Sequence, residues 1–192
     1  MSYQWDPSIV CPKDPTATPE RIAQYEQYYR VKHEIAAEVN PSSILEIGVR
    51  AGYSAWAFLT ACPDALYIGL DAENGMHGGQ GGPWGWWAER ILSQRKFTFH
   101  ILKMDTQKVE ELPASASLFH VDGDHSEEGV FHDLELCFQA ARKGAAILVD
   151  DYDYEQAPGV RPGVDRWLEE RKRDVTWEHR ASLRGEILIR VK

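Results

Sequence analysis

The chain has 192 residues, 43% of them hydrophobic and 27% charged, which suits one globular domain with a sizeable core and is short for two. Its 21 basic and 30 acidic residues leave a net charge of −9 with no basic stripe, so a nucleic-acid partner is disfavoured. Cys11, Cys62 and Cys137 show no metal spacing, no apolar run approaches the ~20 residues of a membrane span, and MSYQWDPSIV lacks the order of a targeting signal; the expectation is a soluble cytoplasmic protein with free thiols.

Residues 1 to 19 carry four prolines and little periodicity, and read as an arm lying on the surface. From Pro19 to Asn40 the pattern is helical, with Ile22, Tyr25, Tyr29, His33, Ala36 and Ala37 at three- and four-residue steps. Tyr25, Tyr28 and Tyr29 are core or interface residues on that reading, or the wall of a substrate pocket. Asn40-Pro41 ends the helix. A buried strand follows at Ser43–Ile47 and a helix at Tyr53–Cys62, joined by a turn with the spacing Gly48-x-x-x-Gly52. Arg50 stands where a dinucleotide fingerprint carries its second glycine, the residue that lets a pyrophosphate approach the backbone, so NAD or FAD is disfavoured.

Leu66–Leu70 is the next strand, closed by Asp71 and Glu73; an acid at that position commonly accepts ribose hydroxyls. Between Gly75 and Trp87 periodicity breaks, with six glycines, a proline and three tryptophans. Backbone freedom beside large apolar rings is what a lid or pocket wall needs; a homodimer contact is the alternative. A helix is expected at Trp87–Arg95, a strand at Phe97–Leu102 with Asp105 after it, and a short helix around Glu110, Glu111 and Pro113.

Leu118 to Tyr154 is the most informative stretch. Two apolar runs, Leu118–Val121 and Ala145–Val149, each end in acid: Asp122, Asp124 and His125 after the first, Asp150, Asp151 and Asp153 after the second. An amphipathic helix from about Ser126 to Lys143 separates them and closes on Gly144. A strand–helix–strand crossover makes the two strands parallel. Asp122, His125, Asp150 and Asp151 should then leave the same carboxyl edge, where open α/β sheets bind ligands. A short helix at Val164–Arg173 and two strands, Val175–His179 and Glu186–Val191, linked by a hairpin through Arg184-Gly185, complete the chain.

This order of elements resembles the class I S-adenosylmethionine-dependent methyltransferases over about residues 41 to 192. ILEIGVRAGYSA is similar to their first motif in its ExGxxxGxS form, and YIGLDAE to their second. The resemblance implies an α/β fold: a Rossmann-like, seven-stranded, mostly parallel sheet with an antiparallel C-terminal hairpin and helices on both faces. One methyltransferase domain would span 1–192, with residues 1–40 as arm and helix and 41–192 as the core. It also implies a cofactor site: Glu46, Gly48, Arg50, Gly52 and Ser54 around the methionine part, Asp71 and Ala72 at the ribose, Asp105 near the adenine, and Asp122 at the reacting end.

Within that class, VDGDH followed by ILVDDY resembles the metal-dependent O-methyltransferases of the catechol and macrocin types. By resemblance Asp122, Asp150 and Asp151 would bind Mg2+, with His125 as catalytic base beside Asp122. The chemistry is coherent. A hard divalent ion on oxygen ligands lowers the pKa of an acceptor hydroxyl and fixes its position, and a histidine titrating near neutrality can take the proton. The implied partner is a small hydroxylated methyl acceptor, with no nucleic acid or membrane. Asp122 and Asp124 could instead cap the following helix, with Asp150 and Asp151 as polar strand ends. A metal-free methyltransferase using His125 and the tyrosines is one alternative, and a catalytically silent cofactor-binding or dimerisation module another. Gly123-Asp124-His125 also brings a metallophosphoesterase to mind, but its other metal motifs are missing.

Overall fold

A computed structural model of the protein describes residues 3–77, 82 and 84–192. The elements run α1 (Pro19–Val39), β1 (Ser43–Ile47), α2 (Tyr53–Ala61), β2 (Leu66–Asp71), α3 (Gly85–Leu92), β3 (Thr98–Lys103), β4 (Leu118–Val121), α4 (Glu127–Ala140), β5 (Ala146–Val149), α5 (Val160–Arg171), β6 (Val175–Arg180) and β7 (Glu186–Val191). The strands form one sheet in the order β3-β2-β1-β4-β5-β7-β6. β1 to β5 are parallel, and β7 runs antiparallel to both β5 and β6. The expected Rossmann-like sheet with its antiparallel hairpin is therefore present.

Both faces of the sheet are covered, which is why β4 and β5 are buried throughout and, His120 apart, apolar. Side chains alternate between faces with a period of two. Ile44, Leu118, Ala146, Leu148 and Leu188 pack with α1, α2 and α3. Leu45, Phe119, Ile147 and Ile189 pack with α4 and α5. The chain winds outward from β1 to β3 and returns to β4 beside β1. That reversal opens a crevice at the carboxyl ends of β1 and β4.

Three expectations are corrected. The arm is not merely on the surface: Tyr3, Ile9 and Cys11 are buried against α1 and α2. Trp5 stacks on Tyr29 with centroids 5.2 Å apart, and Trp87 Nε1 donates to the Ile9 carbonyl at 2.7 Å. No helix forms around Glu110; a single 3-10 turn at Thr106–Lys108 takes its place, because the Asp105 carboxylate accepts the Gln107 N–H and caps it. The apolar stripe of α1 is Tyr25, Tyr28, Tyr29, Lys32, Ile35 and Ala36, so Ala37 faces solvent and a lysine faces the core.

Lys32 is wholly buried, and its ammonium lies 2.9 Å from Asp150 and 3.3 Å from Glu186. It also sits 3.7 Å from the centroid of the Tyr28 ring, a cation–π contact. Burial alone would lower its pKa, but Asp150 and Glu186 hold it above the ordinary value. The ammonium ties α1 to the end of β5 and the start of β7. Removing one partner of such a cluster leaves charge buried without compensation, at a cost of about 3–5 kcal/mol. Lys32→Met should lose stability on that scale in urea unfolding; a loss below ~1 kcal/mol would show that the cluster reorganises freely.

Candidate active site

A cleft of about 300 Å³ opens over the carboxyl ends of β1, β2 and β4. One side is the turn between β1 and α2. Gly48 adopts φ +90°, and a Cβ there would run into the Asp122 carbonyl, so the turn can lie against β4 only with glycine. Arg50 has φ +48°, and its N–H donates to Asp71 Oδ2 at 2.7 Å. Its guanidinium binds Asp14 and Thr16 of the arm. Asp71 Oδ1 accepts the Glu73 N–H at 2.7 Å. Ala72, Asp105 and Gly123 line the same cleft. His77 bridges Asp105 and Asp124, 3.1 Å from each.

Asp122, His125 and Asp151 stand together at the other end, with one donor atom from each within 4.8 Å of the others. His125 Nε2 is 3.4 Å from Asp122 Oδ1 and 3.8 Å from Asp151 Oδ2. Arg184 Nη1 lies 3.1 and 3.4 Å from the two oxygens of Asp151. Burial, followed by the charges of Asp150 and Asp122, pushes the Asp151 carboxyl up to about 7 despite Arg184. Burial would lower the His125 pKa, but the hydrogen bond and charge of Asp122, with Asp151 and Asp150 behind, push it up to about 9. The surrounding carboxylates thus favour the imidazolium form of His125. The neighbouring carboxylates contribute to both shifts, adding to burial at Asp151 and overcoming it at His125. The oxygen donors and the surplus charge fit a hard divalent cation.

Asp150 stands apart from the cleft, although one of its oxygens lies within 4.8 Å of donor atoms of His120 and Asp122. It continues the alternation of Leu148 onto the α1 face, where Lys32 and the Tyr28 hydroxyl hold Oδ2, while Oδ1 accepts the Asp151 N–H at 2.9 Å. Burial opposes ionisation, but Lys32 and His120 hold the carboxyl far below the usual range. It does not line the cleft, and Lys32 already occupies the position of a cation beside it. Glu46, Gly52 and Ser54 are also placed elsewhere. Glu46 points to the α1–α3 face, wholly buried, and accepts from Ser54, Tyr67 and His120. Gly52 packs on α3, where a Cβ would come 2.8 Å from that of Ala88. The first motif thus contributes to the cleft through Gly48 and Arg50, while its other polar residues brace the turn from behind.

Thr16, Arg21, His77, Tyr154, Gln156 and Arg184 also line the cleft, and the sequence did not single them out as site residues. They come from the arm, α1 and the ends of strands far apart in sequence. Lys32 had a visible signal, a lysine four residues after Tyr28 on an apolar stripe. Of the glycine–tryptophan stretch, Gly75 and His77 line the cleft; residues 78–81 and 83, on which much of the lid expectation falls, lie outside the described residues.

The family of methyltransferase domains matches residues 45–152, more than half of the chain, and the protein belongs to it. The fold is that of the class I S-adenosylmethionine-dependent methyltransferases. Among solved structures it is similar to the O-methyltransferase TomG of Streptomyces achromogenes, involved in tomaymycin synthesis and bound to S-adenosylmethionine. That likeness has 22% identity and a TM-score of 0.61, covering 85% of this chain and 79% of the other. An O-methyltransferase of Bacillus cereus with S-adenosylhomocysteine is similar at 18% identity and a TM-score of 0.61, covering 92% of this chain and 82% of the other. A methyltransferase of Podospora anserina bound to S-adenosylhomocysteine gives 18% identity and a TM-score of 0.63, covering 92% and 83%. At these identities the likeness is one of fold. An uncharacterized protein of Acanthamoeba polyphaga mimivirus is 36% identical over 59 residues; the match covers 30% of this chain and 27% of that relative's length.

The raised carboxyl of Asp151 has a measurable consequence. An acid whose folded pKa lies above its unfolded value of ~3.9 favours folding while protonated and loses that contribution as pH rises through the folded value, here about 7. Asparagine keeps the shape, carries no charge and tolerates the φ of +60° at this position. With chelator present, Asp151→Asn should therefore be more stable than the wild type at pH 8, by on the order of 1–3 kcal/mol. The gain should fade as pH falls towards 4. A variant less stable at pH 8 would show that Asp151 is held comfortably as a carboxylate.

Proposed function

We propose that the protein transfers the methyl group of S-adenosylmethionine to a hydroxyl of a small molecule, with a divalent ion, Mg2+, at the acidic end of the cleft. The observation that carries this reading is the continuity of one cleft from Asp71 and Asp105 at one end to Asp122, His125 and Asp151 at the other. The relatives of this fold that hold S-adenosylmethionine or its demethylated product support it. In this reading residues 1–192 act as one methyltransferase unit, because Asp14 and Thr16 of the arm hold Arg50 in the cofactor turn.

Gly48 seats the turn against β4, and the turn's backbone borders the methionine part. Asp71, whose oxygens retain lone pairs beyond those used by Arg50 and Glu73, receives the ribose hydroxyls. Ala72 and Asp105 border the adenine. Asp122 and Asp151 would hold the cation, which when bound acidifies and positions the acceptor hydroxyl. His125, relieved of part of the carboxylate field once Asp122 and Asp151 are neutralised, takes the acceptor proton at Nε2. The acceptor oxygen forms its bond to the methyl carbon as the carbon–sulfur bond breaks, and the electron pair stays on sulfur. Holding the oxygen, carbon and sulfur in line supplies much of the rate. A metal-free version of the same transfer is the second reading, favoured by Arg184, which already pairs with Asp151.

Calorimetry with S-adenosylhomocysteine should show binding, weakened by ~1.5–3 kcal/mol in Asp71→Ala through lost charge-assisted hydrogen bonds. Absence of binding by the wild type would remove the cofactor assignment. Chelator should abolish methyl transfer while leaving that binding nearly intact, and Asp122→Asn should behave the same way. Full turnover in excess chelator would promote the metal-free reading. His125→Ala should keep metal affinity and lose about 10²–10⁴-fold in rate.

A further inference from the structure

β6 is one edge of the sheet, paired with β7 on one side only. Successive residues of an antiparallel strand turn their backbone groups to opposite sides, so each direction can be followed from β5. The Val191 N–H donates to the Ala145 carbonyl and its own carbonyl accepts the Gly144 N–H, so Val191 faces β5. Lys192 therefore faces β6, and its N–H donates to the Asp174 carbonyl at 2.9 Å. By the same alternation Thr176, Glu178 and Arg180 face β7. Val175, Trp177 and His179 direct their N–H and C=O groups out of the edge, where nothing among the described residues meets them.

Sheet edges are ordinarily guarded by proline, a bulge or charge. β6 holds no proline, and its register with β7 is unbroken from Val175 to Arg180. Trp177 is 46% exposed, a large apolar side chain left on the rim. Its face is that of Val175 and His179; Asp174, Thr176, Glu178 and Arg180 share the other. Arg180 reaches Glu38 and Glu178 through Nη2, at 2.7 Å each. Among the described residues its Nη1 has no ion-pair partner, and neither has the exposed Asp174.

A second copy related by a two-fold axis perpendicular to the sheet keeps each face on its own side, and the residue on the axis fixes the register. With Trp177 on the axis, Trp177 meets the partner's Trp177, and Val175 the partner's His179. On the other face Thr176 meets the partner's Glu178, and Asp174 the partner's Arg180. No like charges are opposed. An axis at Glu178 sets that carboxylate against itself, and one at Thr176 sets Asp174 against Glu178. An axis at Val175 or His179 leaves half of β6 or less in the ladder.

We infer that the free edge of β6 is a homodimer interface, in which two copies pair antiparallel about Trp177 and join their sheets into one. The outward groups of Val175, Trp177 and His179 bond those of the same residues in the partner, and Asp174 reaches Nη1 of the partner's Arg180. Charges that would hold a foreign strand off are complementary to this one. Residues 174–180 line neither the cleft nor the smaller cavity beside it, bordered by Arg21, Tyr28, Tyr154 and Arg184. The interface therefore leaves both open and is independent of the methyl-transfer reading.

Sedimentation equilibrium of the full-length protein should show the mass of two chains at ~100 µM. Amide hydrogen exchange should then find Val175, Trp177 and His179 protected whenever the mass is that of two chains, and exposed when dilution gives one. Trp177→Pro removes the central N–H without touching the β7 ladder, a position where an edge strand tolerates proline. It should weaken dimerisation by about tenfold or more, with little change in far-UV circular dichroism. Asp174→Lys, set against the partner's Arg180, should weaken it as well, and Asp174→Asn less so. A single-chain mass at every concentration would overturn the inference. So would a dimer in which the Val175, Trp177 and His179 amides exchange freely, or one that both Trp177→Pro and Asp174→Lys leave intact.

Discussion

The buried ammonium of Lys32 is the interaction on which the arrangement of the cleft depends. At low effective dielectric an uncompensated carboxylate is very costly, and here Asp150 and Glu186 lie within reach of one cation. The consequence travels outward. Asp150, fixed by Lys32 and Tyr28, accepts the N–H of Asp151. Asp151 takes a left-handed conformation and is set on the cleft wall opposite Asp122 and His125. The same Tyr28 that grips Asp150 presents its ring to the neighbouring cavity. One lysine on α1 thus orders the acidic corner and the Tyr28 side of the neighbouring cavity.

Strand alternation explains which acids reach solvent and which serve as internal structure. Glu46 and Asp150 each belong to the face covered by α1, α2 and α3, so their carboxylates enter that layer and must find partners there. Glu46 finds Ser54, Tyr67 and His120, and Asp150 finds Lys32 and Tyr28. The acids that line the cleft lie at or beyond the strand ends, Asp71 as the last residue of β2, Asp122 just after β4 and Asp151 two residues after β5, where loop conformation decides direction.

Charge is graded along the cleft in a way that suits the proposed chemistry. The acidic corner carries surplus negative potential, visible in the raised pKa values of both Asp151 and His125. That potential favours a bound cation and also the positive sulfonium of the cofactor. Farther out, Arg21 reverses the sign.

The sequence by itself determined the sheet and its order of elements. The apolar runs 43–47, 118–121 and 186–191 appear as strands with the bounds their patterning gives, since short runs closed by acid or glycine admit little else. Also legible was a meeting of acids at the carboxyl edge, because parallel strands joined by a crossover put their ends on one side. Asp71, Ala72, Asp105, Asp122, His125 and Asp151 all reach the cleft on that ground. Which of two adjacent aspartates faces the ligand was not legible. Asp150 and Asp151 are chemically identical, and only packing against Lys32, 118 residues earlier in the chain, commits one inward and leaves the other to the cleft. Arg21, Tyr154 and Arg184 were hidden for the same reason: α1, the loop after β5 and the hairpin before β7 meet only once the sheet has formed. Periodicity reports a residue's own element; a site built from the ends of many elements exists only where tertiary packing brings them together.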